Sequence, residues 1–244
     1  MGEHCLHIHQ YVVCPKKRID TRLKILKFWQ MAKKGMGIDK MALVTKNSKN
    51  QATEEPHVII GAQSNDHSAY IAGVLPKRFF TDAHTFARVQ LLVTEYYQLD
   101  VVSNFWDVYN IEAEALGQKV VYPTTGIPDT DRTLPLISSP EALDKISPPD
   151  PYKSGRMPWV RSINKHFLDR TGRLERVYFS GPFSIAANIR GYENLMNDMY
   201  ERPRFVHRLF KFLCEETIVP FIELMRSEAG NDNLIIDGRD AWAS

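Results

Sequence analysis

The sequence predicts an α/β fold with a parallel sheet of the (β/α)8, TIM-barrel type. It is an incomplete one, with about four core strands where a closed barrel needs eight. Three observations point there. Short apolar or alternating runs at residues 57–61, 100–105, 174–179 and 234–237 are separated by longer stretches of helical period. The turn after the first of them, Gly61-Ala62-Gln63-Ser64, shows neither G-x-G-x-x-G nor a Walker pattern, which disfavours a doubly wound nucleotide-binding sheet. The stretch SGPFSIAANIRG at 180–191 puts Gly, Pro and a bulky Phe where a strand hands over to a helix, the point that faces the ligand in α/β proteins.

The elements follow in order. Residues 16–34 carry Ile19, Leu23 and Leu26 on one helical face and stop at Gly35 and Gly37. Residues 44–56 are polar and aperiodic, a loop, and 57–61 form a short strand. Residues 67–75 read as a short helix. Thr81-Asp82 reads as an N-cap for a helix through Phe86, Val89, Leu92, Val93 and Tyr96 to about Leu99. The strand at 100–105 follows, then a helical turn or two at 109–116 stopped by Gly117. Residues 118–122 could add an extra strand, and 123–138, rich in Pro, Thr and Asp, read as loop. Ser139 would cap a short helix with Pro140 at its first position. SPPDP at 147–151 is an extended spacer, and 158–170 form an amphipathic helix through Trp159, Ile163 and Phe167. After the strand at 174–179 come helices at 184–200 and 203–228. Pro220 should kink or split the second, and Gly230 ends it before the last strand at 234–237. The expected organisation is an N-terminal helical extension, 1–56, and a partial barrel, 57–244.

Composition narrows the function classes. A formal net charge of +2, with Lys and Arg spread along the chain, gives no footprint for nucleic acid. No apolar stretch approaches the ~20 residues of a membrane span, and the N-terminus lacks the pattern of a signal peptide. Three cysteines (Cys5, Cys14 and Cys214) without framework spacing fit a reducing cytosol, so a cytoplasmic location is expected. A barrel with about four strands would leave unpaired edges. The chain is therefore expected to be the N-terminal part of a longer protein or to pair with another half, possible homo-oligomer formation included.

Three segments carry a family resemblance: NFWDVYNIEAEALGQKV (104–120), SPEALDKISPPDP (139–151) and SGPFSIAANIRGYENLMNDMYERPRFVHRLFKFL (180–213). Together they resemble the uroporphyrinogen decarboxylase superfamily, which also contains cobalamin-dependent methyltransferases. IIDGRDAWAS (235–244) looks like that superfamily's fourth barrel strand and the turn after it. The resemblance implies a (β/α)8 barrel with its site at the C-terminal mouth. It makes Gly181, Pro182 and Phe183 part of the pocket wall: Gly181 would let backbone approach the ligand, Pro182 stiffen the turn and Phe183 offer an apolar surface. Ser184 would cap the following helix. The decarboxylases' N-terminal R-Q-A-G-R motif is absent here, and Glu112 to Gly117 (EAEALG) looks more like the methyltransferase branch.

Candidate chemistry then falls on acids near strand ends. Asp107 could orient a polar substrate or stabilise positive charge, or could cap a helix. Asn104 could bond a ligand or the loop backbone. Asp237 and Asp240 close the fourth strand and suit a pocket role, with an ion pair to Arg239 as the plain alternative. Glu112 and Glu114, two apart, cannot share a helical face, so one could point to the mouth and the other to solvent. The methyltransferase resemblance implies zinc, held by a His-x-Cys motif and a later Cys outside this chain, because a zinc-bound thiolate stays nucleophilic at neutral pH. No metal ligand is assigned in this chain. Cys214 reads as a core cysteine, the His4-Cys5-His7-His9-Cys14 cluster as an irregular tail, and His67 as a residue that could reach the mouth but better suits a surface or capping role.

The expected function is methyl transfer with a corrinoid carried on a partner protein and a small methylated substrate. The rivals are uroporphyrinogen decarboxylation and a non-catalytic half-barrel that only binds.

Overall fold

The computed structural model describes residues 60–107 and 109–240. The expected helix at 16–34, the loop at 44–56, the His-rich tail and most of the first strand lie outside the described residues. So do residues 241–244.

Helices α1 (Asn65–Ala72), α2 (Pro76–Phe79) and α3 (Ala83–Tyr97) open the described chain. Asp82 caps α3 as expected, its side chain accepting the Thr85 N–H at 3.0 Å. The short helix α4 (Ile111–Ala115) precedes a two-residue hairpin pair, β1 (Val120–Val121) with β2 (Asp129–Thr130), antiparallel. β2 falls inside the stretch expected as loop. A two-turn 3-10 helix, Pro140–Lys145, starts after Ser139. Ser139 stands at its N-cap position with Pro140 next, as expected, but its hydroxyl makes no capping bond and donates to the Glu141 carboxylate at 2.7 Å.

Helix α5 (Met157–Thr171) packs on α3 through aromatic contacts, with Phe86 edge-on to Trp159 at 5.4 Å and Phe79 beside Phe86 at 4.7 Å. Phe79, Phe80, Phe86, Val160 and Ile163 are fully buried there. Strand β3 (Arg176–Ser180) follows, and then α6 (Pro182–Arg190), α7 (Tyr192–Glu201), α8 (Pro203–Phe212) and, after one π turn, α9 (Val219–Ala229). These helices share a second apolar cluster built on Ile185, Ile189, Leu195, Leu209 and Leu213. Strand β4 (Ile235–Arg239) closes the described chain.

Two helix expectations are corrected. The single helix expected at 184–200 starts earlier, at Pro182, and breaks at Gly191. Gly191 takes φ +83°, a value an L side chain resists, so α6 can end and α7 begin within one residue. The 203–228 segment is neither simply kinked nor split. The widened π turn, Leu213–Ile218, stands directly before Pro220, which sits in the first turn of α9. Pro220 has no N–H to give the preceding turn, and a π turn is one way to absorb that missing bond without leaving the helix.

The sheet differs most from expectation. Among the described residues the parallel pairing is one ladder, β3 with β4, in the register Arg176↔Ile235 to Ser180↔Arg239. Among the described residues, the segment at 100–105 contributes an isolated parallel bridge, Val101 with Gly61. Instead of a main-chain ladder, the Asn104 side chain donates to the Arg176 carbonyl at 2.8 Å and tethers that segment beside β3. The fold is thus mixed α/β, with helices covering one face of a parallel strand pair: Val177 is buried and Phe179 packs into the α6–α8 cluster.

One polar cluster is buried between α4, α5 and the 105–107 turn. Arg156 pairs with Asp107 at 2.5 Å and with Glu114, and its guanidinium stands 5.4 Å from the rings of Tyr122 and Trp159. Asp107 is wholly buried and Arg156 nearly so, so neither charge is hydrated if its partner is removed. Replacing Arg156 with Met should lower unfolding free energy by about 3–5 kcal/mol at neutral pH, since Asp107 would be left buried and unpaired. Urea titration of Arg156→Met against the parent protein measures it.

Candidate functional site

The second face of the β3–β4 pair is built from alternate residues. Period-two alternation puts Arg176, Tyr178 and Ser180 of β3 on the side opposite Val177 and Phe179. Ile235, Asp237 and Arg239 of β4 stand level with them. The 104–109 segment lies against this face: Tyr178 meets Phe105 edge-on at 5.0 Å and Trp106 at 5.8 Å. The Arg239 guanidinium lies 5.3 Å from the Phe105 ring and 5.2 Å from the Tyr178 ring, within cation–π range.

Asp237 sits between two cations. It accepts from Arg176 at 2.8 Å and from Arg239 at 2.9 Å. Partial desolvation pushes its carboxyl up, but the bonds from Arg239 and Arg176 outweigh that and hold it below the usual carboxylate range. Burial raises the Tyr178 hydroxyl, with Arg176 and Arg239 pulling against it. Tyr109 adjoins Arg239, Asp240 and Asp237 electrostatically; burial raises it too. Its backbone takes φ +61°, uncommon outside glycine, and its carbonyl accepts from the Asn188 side chain at 2.7 Å. Strained backbone of this kind concentrates at functional sites.

The turn after β3 is held by Asp240. The Asp240 carboxylate accepts the Ser184 N–H at 2.6 Å, and Gly181 donates its own N–H to the Arg239 carbonyl at 2.6 Å. A Cβ at Gly181 would run into the Asp240 side chain, so glycine is required by that close approach rather than by an unusual φ. A carboxylate at a helix N-terminus meets unpaired N–H groups and the positive end of the dipole.

Glu112 closes the site from below. It is fully buried, and its two oxygens accept the Ser180 N–H at 2.9 Å and the Ser180 hydroxyl at 2.6 Å. Burial pushes its carboxyl up to about 7, against the pull of the Ser180 bonds.

The sequence-predicted residues fare differently. Asp237 stands in the middle of β4 and Asp240 just beyond its end, and each is already partnered, by arginines and by a helix N-terminus. Asn104 bonds backbone, as one of its two readings held. Asp107 does not cap α4, whose N-cap is Asn110; it is fully buried and paired with Arg156, and its charge acts on Glu112. Burial pushes Asp107 up, and Arg156 pulls it part of the way back. Gly181 and Pro182 form the turn as expected. Phe183 does not offer its ring to the site: it packs towards Tyr192 at 6.5 Å and Phe210 at 6.4 Å, among the helices. The early start of α6 at Pro182 turns it to that side. Ser184 does not cap α6 with its side chain; it is the one capped. Neither Glu112 nor Glu114 points to solvent, as Glu114 binds Arg156. Cys214 is half-buried in the π turn rather than in the core, and His67 bonds Tyr97 at 2.9 Å. Sequence reasoning missed Tyr178, Tyr109, Arg176 and the Glu112–Ser180 pair. The alternation Arg176-x-Tyr178-x-Ser180 was the available signal.

The geometry describes a class before it describes a family: an α/β protein whose polar side chains line one face of a parallel strand pair that leads into a helix. Residues 39–244 match the family model of uroporphyrinogen decarboxylase (URO-D), and the chain belongs to that family. Among solved structures it is similar to a methyltransferase from Methanosarcina mazei, with 18% identity and a TM-score of 0.63. That match covers 78% of this chain and 57% of the other, and it shows a shared fold. No match was found among curated proteins. No helix among the described residues is long and apolar enough to cross a membrane. Among them, too, no three His, Cys, Asp or Glu side chains converge as a metal site, so the zinc that the resemblance implies finds no ligand set there.

The Glu112 carboxyl makes stability depend on pH. Its folded value, about 7, lies above the ordinary 4.5, so the folded state holds its proton longer. The associated stability is fully present below pH 4.5 and is lost as pH rises through 7, by about 3 kcal/mol in all. Asp107 adds in the same direction. Glu112→Gln should flatten this decline, read as the midpoint of urea unfolding at successive pH values.

Proposed function

We propose that this chain forms part of a URO-D-type (β/α)8 barrel that transfers a methyl group between a corrinoid on a partner protein and a small substrate. The observation that carries the proposal is the charge arrangement on the β3–β4 face. Arg176 and Arg239 share Asp237, so this face holds one charge-restrained cationic pair rather than the spread of basic groups that a porphyrinogen's several carboxylates would need. The missing R-Q-A-G-R motif agrees with it, and so does the methyltransferase whose fold the chain shares. A corrinoid supplies a cobalt centre that carries the methyl group. The chain's own contribution would be to position the substrate against Tyr178 and Arg239 and to hold the Gly181–Ser184 turn through Asp240. No step is assigned to zinc.

The test uses the natural protein in full, with its coding sequence read beyond Ser244. Methylcobalamin is offered with a small thiol, and demethylation is followed in the visible spectrum. Uroporphyrinogen is offered in parallel, with release of carbon dioxide followed. Demethylation without carbon dioxide release is expected. Carbon dioxide release overturns the proposal in favour of decarboxylation, and inactivity in both assays favours a binding module.

A further inference from the structure

We infer that Glu112 is a proton-dependent positioning residue: protonated, it locks the turn between β3 and α6, and when it ionises that turn loosens and the strand-pair face with it. This local lock is separate from the reaction proposed above, and it assigns the loss of stability with rising pH to one segment of the chain.

Four features support it. First, three acids meet one cation. Arg156 binds Asp107 and Glu114, whereas both bonds to Glu112 come from the uncharged Ser180. Second, Glu112 is wholly buried, and so is Asp107, whose charge opposes its ionisation. A buried carboxylate without a cation is costly, and keeping the proton is the state of lower free energy. Third, the elements packed on α4 bring no other cation free to pair with it among the described residues. The charged residue of α6, Arg190, is committed to Asp198 and to the Ile137 and Ser138 carbonyls. On β3, Arg176 pairs with Asp237, and the first charge on α5 beyond Arg156 is Arg161, paired with Glu228. Tyr122 donates to Glu114, not to Glu112. Fourth, the bonds fall where they matter. Ser180 ends β3 opposite Arg239 and precedes Gly181, against which Asp240 closes. A protonated carboxyl can accept the Ser180 N–H on one oxygen and donate to its hydroxyl from the other, so both bonds persist with no buried charge. Once ionised, the same group gains more from water than from Ser180, and the end of β3 must part from α4 to hydrate it.

The test is amide hydrogen exchange of the natural protein in full, followed by mass spectrometry at pH 5 and pH 8 with the intrinsic pH dependence of exchange divided out. Opening is compared between the 180–184 segment and α3, which carries neither Glu112 nor its partners. The Glu112 carboxyl titrates at about 7 when closed and near the ordinary 4.5 when hydrated. Opening at 180–184 should therefore rise by roughly 70-fold between the two pH values, while α3 changes much less. Glu112→Gln keeps a neutral acceptor and donor at the same place, so it should hold the segment at its pH 5 protection at both values. An equal rise in α3 overturns the inference, because the effect would then be global. So does the absence of a rise at 180–184, or a rise of the same size in folded Glu112→Gln. If that variant does not fold, the contrast between 180–184 and α3 in the parent protein decides alone. Exchange is read without substrate or corrinoid, so the outcome of the methyl-transfer assay does not bear on it.

Discussion

The buried Arg156 holds the central part of the structure in place. Its guanidinium reaches Asp107 in the loop before α4 and Glu114 within α4, and it lies against the rings of Tyr122 and Trp159. It also approaches the Phe80 carbonyl at 3.4 Å. Four stretches of chain besides its own helix therefore converge on one side chain. A buried ion pair of this kind is poor evidence of net stability, because desolvation offsets much of the attraction. What it enforces is arrangement, since the loop and α4 must both bring an acid to the same cation. The position of that loop then fixes Phe105 and Trp106, and through them the wall on which Tyr178 and Arg239 rest.

A second constraint acts at the other end of the site. Asp240 reaches back from the end of β4 to the start of α6, across 56 residues of sequence, and closes the β3–α6 turn against β4. The fit is tight enough to exclude any side chain at Gly181. Glu112 clamps Ser180 one residue earlier, from the α4 side. The β3–α6 turn is thus gripped by two carboxylates from opposite directions. A rigid turn suits a surface that must present N–H donors and aromatic faces in a fixed geometry.

Much of the helical scaffold was legible in the sequence because its signals are local. Asp82 as a cap, Gly117 and Gly230 as stops, and the apolar stripe of α5 each act within a turn or two of chain. The break at Gly191 was not, because a glycine inside a helical pattern is ordinarily tolerated and only packing decides that it takes a positive φ. The antiparallel bridge at Asp129–Thr130 is two residues long and leans on a side-chain bond from Lys119 to Asp131, which no period announces. The site shows the same division. Asp107, Asp237 and Asp240 were legible as acids at strand ends. Their partners were not: Arg156, Arg176 and the Ser184 amide are brought to them only by the tertiary fold.

That division reverses the sign of the site. The sequence drew attention to carboxylates, as candidates to orient a substrate or stabilise positive charge. In the structure each of those carboxylates is committed: Asp107 to Arg156, Asp240 to a helix N-terminus, and Asp237 to two arginines at once. What they leave uncommitted is the outward part of Arg176 and of Arg239, the latter set beside the Phe105 and Tyr178 rings. An acid that is fully hydrogen-bonded has little left to give a ligand, whereas an arginine with donors to spare and a neighbour that restrains it keeps both charge and direction. The strand-pair face is therefore better described by what the acids hold in place than by the acids themselves.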